Sequence, residues 1–494
     1  MRKYLTIVFG FLSAFVFCSA LLFAANERQT ATPDTAALKR ISESARTRLE
    51  QLRAKAGFPG ANFAFVLPDG AGASVSVGVS DIVSQRPLVS TDLMLAGSVG
   101  KTFVAATMLQ LAQEGKVNLD DKIEQWFKGD PWFKRLPNAT TVTVRMLLNH
   151  SSGIPDDDPV KFWEAILGNN DRSWKPEELI AFALGKKPLF AAGQDYSYTD
   201  NNYLLVGMII ERITGQTLYS EVTRRFLKPL KLAHTIPQEG RIIPGVSNGY
   251  TSYGALAGPK GAMIVDGKFT VNPQCEWAGG GFASTAEDLA RWAKALYEGQ
   301  LIKQPYFDQM VTGIKTTLFD TYGLGVVIGE GVWGKSYGHD GEFPGYRSAM
   351  EYLPSYRVAV AIQFNTDRQD QLKREVVGYL NDHLMRIIVS ELTGKKFDDP
   401  LEPRQVVVDP RLYNAFVGEY QLSPKMILTV KKAGNRLIAQ LTGQKSAEIF
   451  PASETEYFYR VTEAQITFRR NDNGDVTGLV ITQAGSTITA PKIK

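Results

Sequence analysis

Ser98 stands three residues before Lys101, and a helical pattern follows at once. Positions i and i+3 share a helix face, so the Lys101 amine can reach the Ser98 hydroxyl. From Thr102 to Glu114, Phe103, Ala106, Met108, Leu109, Leu111 and Ala112 form an apolar stripe at helical spacing, and Gly115 supplies a C-cap. Ser98 therefore lies at a helix N-terminus, where unpaired N–H groups and the helix dipole favour developing negative charge. One turn combines a nucleophile, a proton acceptor and an anion-friendly backbone, the parts of acyl transfer through a covalent intermediate. Alone, S-x-x-K is a weak signal, because Ser is a common N-cap and Lys is common on exposed helix faces.

Gly100-Lys101-Thr102 also matches the end of a phosphate-binding P-loop, but that motif needs Gly at position 95, which is Leu. Nucleotide binding is rejected on that ground. The four histidines, His150, His234, His339 and His383, are far apart in sequence, and no HExxH or CxxC pattern occurs, so neither metal nor cofactor is expected. The formal charge of +4 over 494 residues gives no reason to expect nucleic acid. With 44% hydrophobic and 21% charged residues the chain is globular, and its length implies two or more domains.

The elements that must position Ser98 follow from periodicity. Residues 1–25 carry Arg2 and Lys3, an apolar run from Leu5 to Phe23, and small residues at Ala24-Ala25. This is a secretory signal peptide, or an uncleaved membrane anchor over residues 4–24, and the chain is expected to be exported, periplasmic or secreted. Removal of Cys18 with it leaves Cys275 alone, so no intramolecular disulfide is possible. Thr35 to Ala56 reads as a helix, and Phe63 to Leu67 and Ala73 to Val79 as a hairpin turned by Pro68-Asp69-Gly70. From about Leu119 to Leu296 the pattern is mostly helical, including Tyr203 to Ile213 and a helix after Gly279-Gly280-Gly281. Tyr322 to Ile328, Gly345 to Leu353 and Tyr356 to Phe364 alternate as strands, and Gln371 to Leu392 is a last amphipathic helix. Residues 26–397 thus form an α/β domain of α+β type. Its antiparallel sheet is flanked by terminal helices, with an inserted helical subdomain. Residues 398–410 read as a Pro-rich linker, and residues 411–494 as a small all-β barrel or sandwich built from six short runs between Phe416 and Thr482.

From about Phe63 to about Leu384 the chain resembles the serine β-lactamase and penicillin-binding-protein superfamily. The resemblance is to the branch of class C β-lactamases, DD-carboxypeptidases, D-aminopeptidases and related esterases. Ser98-Val99-Gly100-Lys101 sits where that family has S-x-x-K. Leu147 to Pro155 resembles a loop of the branch, and Tyr198-Thr199-Asp200 sits where it has Y-x-N. Gly280 to Leu289 resembles G-G-x-x-S-T-x-x-D-L, and Tyr337-Gly338-His339-Asp340-Gly341 stands where it has K-T-G or H-x-G on the sheet edge. Two positions depart. Asp200 replaces the commoner Asn, and an ionised Asp cannot donate to a substrate carbonyl. His339 replaces a Lys that would hold a fixed charge for a substrate carboxylate, and His is charged only in part near neutral pH.

The resemblance implies an exported serine hydrolase that acts on amide or ester bonds of D-amino-acid peptides, peptidoglycan-type peptides or small esters. A slowly deacylating penicillin-binding sensor, a non-catalytic binding protein and a β-lactamase are the alternatives. Ser98 is the expected nucleophile and Lys101 or Tyr198 the base, with the choice open. Ser98 and Glu342 backbone N–H groups would form the oxyanion hole, and Asp200, His339 and Gly341 would line the substrate site. His150 is expected to shape its loop rather than to act in chemistry.

Overall fold

The computed structural model describes residues 35–494 except 157, 317–320, 373–375, 398–404, 425, 463, 472 and 484–485. The signal segment and most of the linker therefore lie outside the described residues.

Helix α1 (Thr35–Ala56) buries Ile41, Ala45, Leu49 and Leu52, a single stripe three or four residues apart. Strands β1 (Gly60–Val66) and β2 (Gly72–Asp81) form the expected hairpin. Its turn closes where Asp69 Oδ1 accepts from the Ala71 N–H at 2.9 Å. After β3 (Arg86–Pro87) the chain leaves the sheet and returns to it only at β4 (Ile314–Lys315), β5 (Thr321–Tyr322), β6 (Val327–Gly331), β7 (Gly334–Phe343), β8 (Tyr346–Leu353) and β9 (Val358–Phe364). These described strands form one sheet in the order β3-β2-β1-β9-β8-β7-β6-β5-β4. The two ends of the domain meet at its centre, where β1 pairs antiparallel with β9, Ala61 opposite Phe364.

Every residue of β1 is buried because the sheet is covered on both faces. Phe63 and Phe65 point into one core with α1 and the C-terminal helix of the domain. Ala64 and Val66 point into the other, with the helical insertion. The insertion centres on α2 (Lys101–Gln113) and α3 (Asp200–Thr214), and α4 (Ala286–Tyr297) returns the chain to the sheet. Helix α2 is buried on nearly every side rather than along one stripe, because it is the central helix of that core. Phe103 stacks on Trp292 of α4 at 4.2 Å, and the Trp292 indole donates to Thr102 Oγ1 at 2.8 Å.

Three elements differ from the sequence reading. Tyr322 to Ile328 is not one strand, because the chain breaks at Gly323, where a Cβ would lie 2.1 Å from the Met310 carbonyl. Strand β7 forms without a clean apolar alternation to announce it. The last helix is interrupted by a π-turn over Leu380–Leu384 before α5 (Met385–Thr393), and Lys373 to Glu375 lie outside the described residues.

The C-terminal unit is a barrel. Strands β10 (Gly418–Ser423), β11 (Met426–Ala433), β12 (Arg436–Leu441), β13 (Ala447–Pro451), β14 (Glu456–Tyr459), β15 (Ala464–Arg470), β16 (Val476–Gln483) and β17 (Ser486–Pro491) each pair antiparallel with the next. The seam closes on the last residues: the Glu419 N–H donates to the Lys494 carbonyl at 3.0 Å, and the Ile493 N–H to the Glu419 carbonyl at 2.8 Å. Phe416 stacks on Phe468 at 4.3 Å among Tyr420 and Tyr457, so side chains fill the interior.

Candidate active site

From Asp92 to Leu109 every residue is buried except Ser98. It stands on a 3₁₀ turn, Gly97–Gly100, that feeds directly into α2. Gly97 has φ +52°, and a Cβ there would lie 2.5 Å from the Glu342 nitrogen, so only glycine lets this turn touch β7. The β6 ladder covers β7 only up to Gly338. Beyond it, the edge carrying His339 to Phe343 meets the Ser98 turn instead. A Cβ on Gly341 would lie 2.0 Å from the Ala96 carbonyl. This geometry sets the Gly97 backbone, one residue before Ser98, against Glu342. Gly341→Ala is expected to push β7 off the turn, lowering kcat/KM by ~10²-fold and stability by about 1–3 kcal/mol. Turnover and thermal melts measure both.

Lys101 is fully buried, and its Nζ has three acceptors. Ser98 Oγ lies at 2.9 Å, Asp200 Oδ1 at 2.5 Å, and the Gly279 carbonyl also accepts. An unpaired charge there would cost several kcal/mol, and the Asp200 carboxylate supplies the pairing. Asp200 is the first residue of α3, whose N-cap is Thr199; the Thr199 hydroxyl accepts from the Asn201 N–H at 3.2 Å. In the sequence Asp200 reads as a lost donor to substrate. Its position adds a second consequence, an ion pair with the lysine.

The same turn aims Tyr198. Its ring lies 5.0 Å from Lys101 Nζ and packs on the His150 imidazole at 4.2 Å. His150 is buried, and its Nδ1 accepts from the Thr199 N–H at 3.3 Å, so it braces the turn. Burial first, and the Asp200 charge second, push the Tyr198 phenol well above its usual value, and the Ser98 hydroxyl offsets part of that rise. Tyr198 is therefore a phenol, not a phenolate, in this site.

His339 is buried, with its Nδ1 at 2.6 Å from the Asp340 carbonyl and its Nε2 at 2.8 Å from the Tyr322 hydroxyl. The carbonyl can only accept, so Nδ1 carries the proton and Tyr322 donates to Nε2. Burial, then the Lys101 charge, lower its pKa to about 3. The sequence expectation of partial charge at neutral pH is overturned by this burial, and the ring is uncharged. Tyr322 and the Gly279 carbonyl carry no sequence signal for these contacts.

A second carboxyl stands behind the turn. Glu276 is half-buried, but its Oε2 is inaccessible and has no hydrogen-bond partner among the described residues. A Cβ on Gly280 would lie 2.8 Å from both Glu276 Oε1 and the Gly97 carbonyl, so this carboxyl lies close behind Ser98. Burial, then the Asp200 charge, push its pKa up to about 8.

This fold with this turn defines one class of protein, the serine hydrolases built like β-lactamases and penicillin-binding proteins. Residues 45–381 match the family described as Beta-lactamase, and the chain belongs to that family. Residues 402–492 match a domain of unknown function (DUF3471). Penicillin-binding protein 4* of Bacillus subtilis is 24% identical over 407 residues, 80% of this chain and 86% of that protein. A D-stereospecific amidohydrolase from Streptomyces sp. is 26% identical, with a TM-score of 0.57 over 72% of this chain and 99% of that one. The octameric penicillin-binding protein homologue of Pyrococcus abyssi shares the fold, with 22% identity and a TM-score of 0.59, over 92% of this chain and all of that one.

Proposed function

We propose that this serine hydrolase is exported and hydrolyses amide bonds of D-aminoacyl compounds through an acyl-enzyme on Ser98. The observation that carries the reading is the 2.9 Å contact between Lys101 Nζ and Ser98 Oγ inside a buried, aromatic-walled turn. Lys101, as the neutral amine, takes the hydroxyl proton while Oγ bonds to the carbonyl carbon. The carbonyl electrons move to oxygen, which the Ser98 and Glu342 N–H groups stabilise; one such donor is worth about 3 kcal/mol of barrier. Collapse breaks the C–N bond as the proton passes to the leaving nitrogen, and water then releases the acyl group. Tyr198, held as a phenol, donates along this path.

The D-specific substrate class is supported by the resemblance to the Streptomyces amidohydrolase. An uncharged His339 does not supply the fixed charge that a Lys at this edge offers a substrate carboxylate, which weakens the β-lactamase alternative and leaves peptide and ester substrates open. A screen of paired D- and L-aminoacyl p-nitroanilides tests the reading. Turnover of the D form at least tenfold faster, with a Ser98 adduct by intact-mass spectrometry, is expected. Equal rates would remove the D-specific part of the reading, and a permanent adduct with penicillin and no amide turnover would replace it with the sensor reading.

A further inference from the structure

The Lys101 ammonium has three N–H bonds and three acceptors, so before substrate binds it is saturated. A lysine in that state cannot accept the Ser98 proton. It must first lose a proton, and a negatively charged partner at the amine opposes that loss. The Gly279 carbonyl is fixed in the backbone and Ser98 is the reacting group. Asp200 is the remaining partner, and its side chain is 55% exposed. It can be reached from solvent while it holds the buried amine.

Two ionisable side chains of this corner face the turn before α3: Asp156 accepts from the Thr199 hydroxyl at 2.9 Å, and Asp200 is the carboxylate in contact with the amine. Tyr198, just before α3, and Tyr203, in its first turn, are both phenols pushed upward by burial. Glu276, from the loop behind the turn, is held protonated at neutral pH. From β7, His339 is uncharged and burial raises the Asp340 pKa, while Glu342 is paired with Arg347 at 2.9 Å. Ser98 Oγ and Asp200 Oδ1 both touch the same nitrogen, so they lie no more than roughly 5.5 Å apart. An amine one carbon away from a scissile carbonyl spans that gap with the carbonyl at ~3 Å from Ser98.

We propose that Asp200 couples substrate choice to activation: it holds Lys101 as the ammonium in the free enzyme and is surrendered to a cationic α-amine of the substrate. The substrate ammonium then pairs with the carboxylate. Lys101, relieved of its counter-charge, loses one proton to water and becomes the amine that takes the Ser98 proton. The site thereby selects aminoacyl compounds with a free amine, and an Asn at this position would discard both the selection and the restraint. This rests on the acyl-transfer reading above.

The test compares wild type with Asp200→Asn on D-alanine p-nitroanilide, its N-acetyl derivative and the neutral ester p-nitrophenyl acetate. Wild type is expected to favour the free amine over the N-acetyl compound by tenfold or more in kcat/KM. Asp200→Asn is expected to bring that ratio near one and to move the acid limb of ester hydrolysis downward by a pH unit or more, so that turnover at pH 6 rises several-fold. A merely structural role would lower all three rates and leave the ratio and the pH limb in place. Wild type that acylates Ser98 and cleaves the ester but shows no amine preference overturns this proposal alone. So does a variant that keeps the preference. Absence of any Ser98 adduct or turnover in wild type removes the serine hydrolase chemistry itself, and this proposal with it.

Discussion

Replacing Ser98 with alanine is expected to abolish acylation by ester and penicillin probes and to cut turnover by ~10³-fold or more. The fold should survive. Lys101 keeps its Asp200 and Gly279 partners, so no buried charge is stranded, and stability should change by about 1 kcal/mol at most. Lys101→Ala makes the complementary test. It leaves Asp200 without its lysine, but that carboxylate is half in water and stays solvated. Turnover should fall by ~10²–10⁴-fold while the circular dichroism spectrum is kept. Intact-mass spectrometry reads the first variant directly, and a label that persists on the Ser98→Ala protein would sink the assignment of the nucleophile.

Glu276 gives a large effect on stability rather than on chemistry. Its carboxyl has an ordinary value of 4.5 in the unfolded chain and is pushed up to about 8 in the fold. Between those values the folded protein keeps a proton that the unfolded chain has released. The stability this group contributes is therefore fully present below about pH 4.5 and is lost as pH rises towards 8. Glu276→Gln is neutral throughout and escapes that loss. It is expected to melt higher than wild type at about pH 8.5, by at least about 1 kcal/mol of stability, since a tenfold change in proton affinity corresponds to about 1.4 kcal/mol. At about pH 5 the difference should shrink towards zero. Calorimetry at the two pH values decides it; a stabilisation of the same size at both would assign the effect to packing.

The acyl-transfer turn is legible in the sequence because its chemistry needs particular residue types at short spacing, and Ser98, Lys101, Tyr198 and His339 do converge in space. The sheet is legible where apolar alternation is clean, as in Val358–Phe364. The pattern fails over Gly334–Phe343, where glycines and charged residues sit on an edge shaped to meet the Ser98 turn. Six barrel strands show in their alternation. Ala447–Pro451 and Ser486–Pro491 do not, being short or polar and each ending in proline. What periodicity cannot carry is burial of a polar group. The neutrality of His339 and the held proton of Glu276 arise from side chains that the fold, not the local pattern, brings under cover, and the ion pair of Asp200 arises from the burial of its partner Lys101.

The pairing of β1 with β9 also sets an order of events in time. Ala61 waits for Phe364, roughly 300 residues later, before the central sheet can form. The nucleophile is made early in synthesis, yet the strand edge that completes its oxyanion site comes almost at the end of the domain. A nascent chain halted before that point carries the serine but no working centre. Such long-range closure is slow compared with local helix formation. That delay suits the proposed export, in which the polypeptide would stay unfolded through a narrow channel and become active only on the far side.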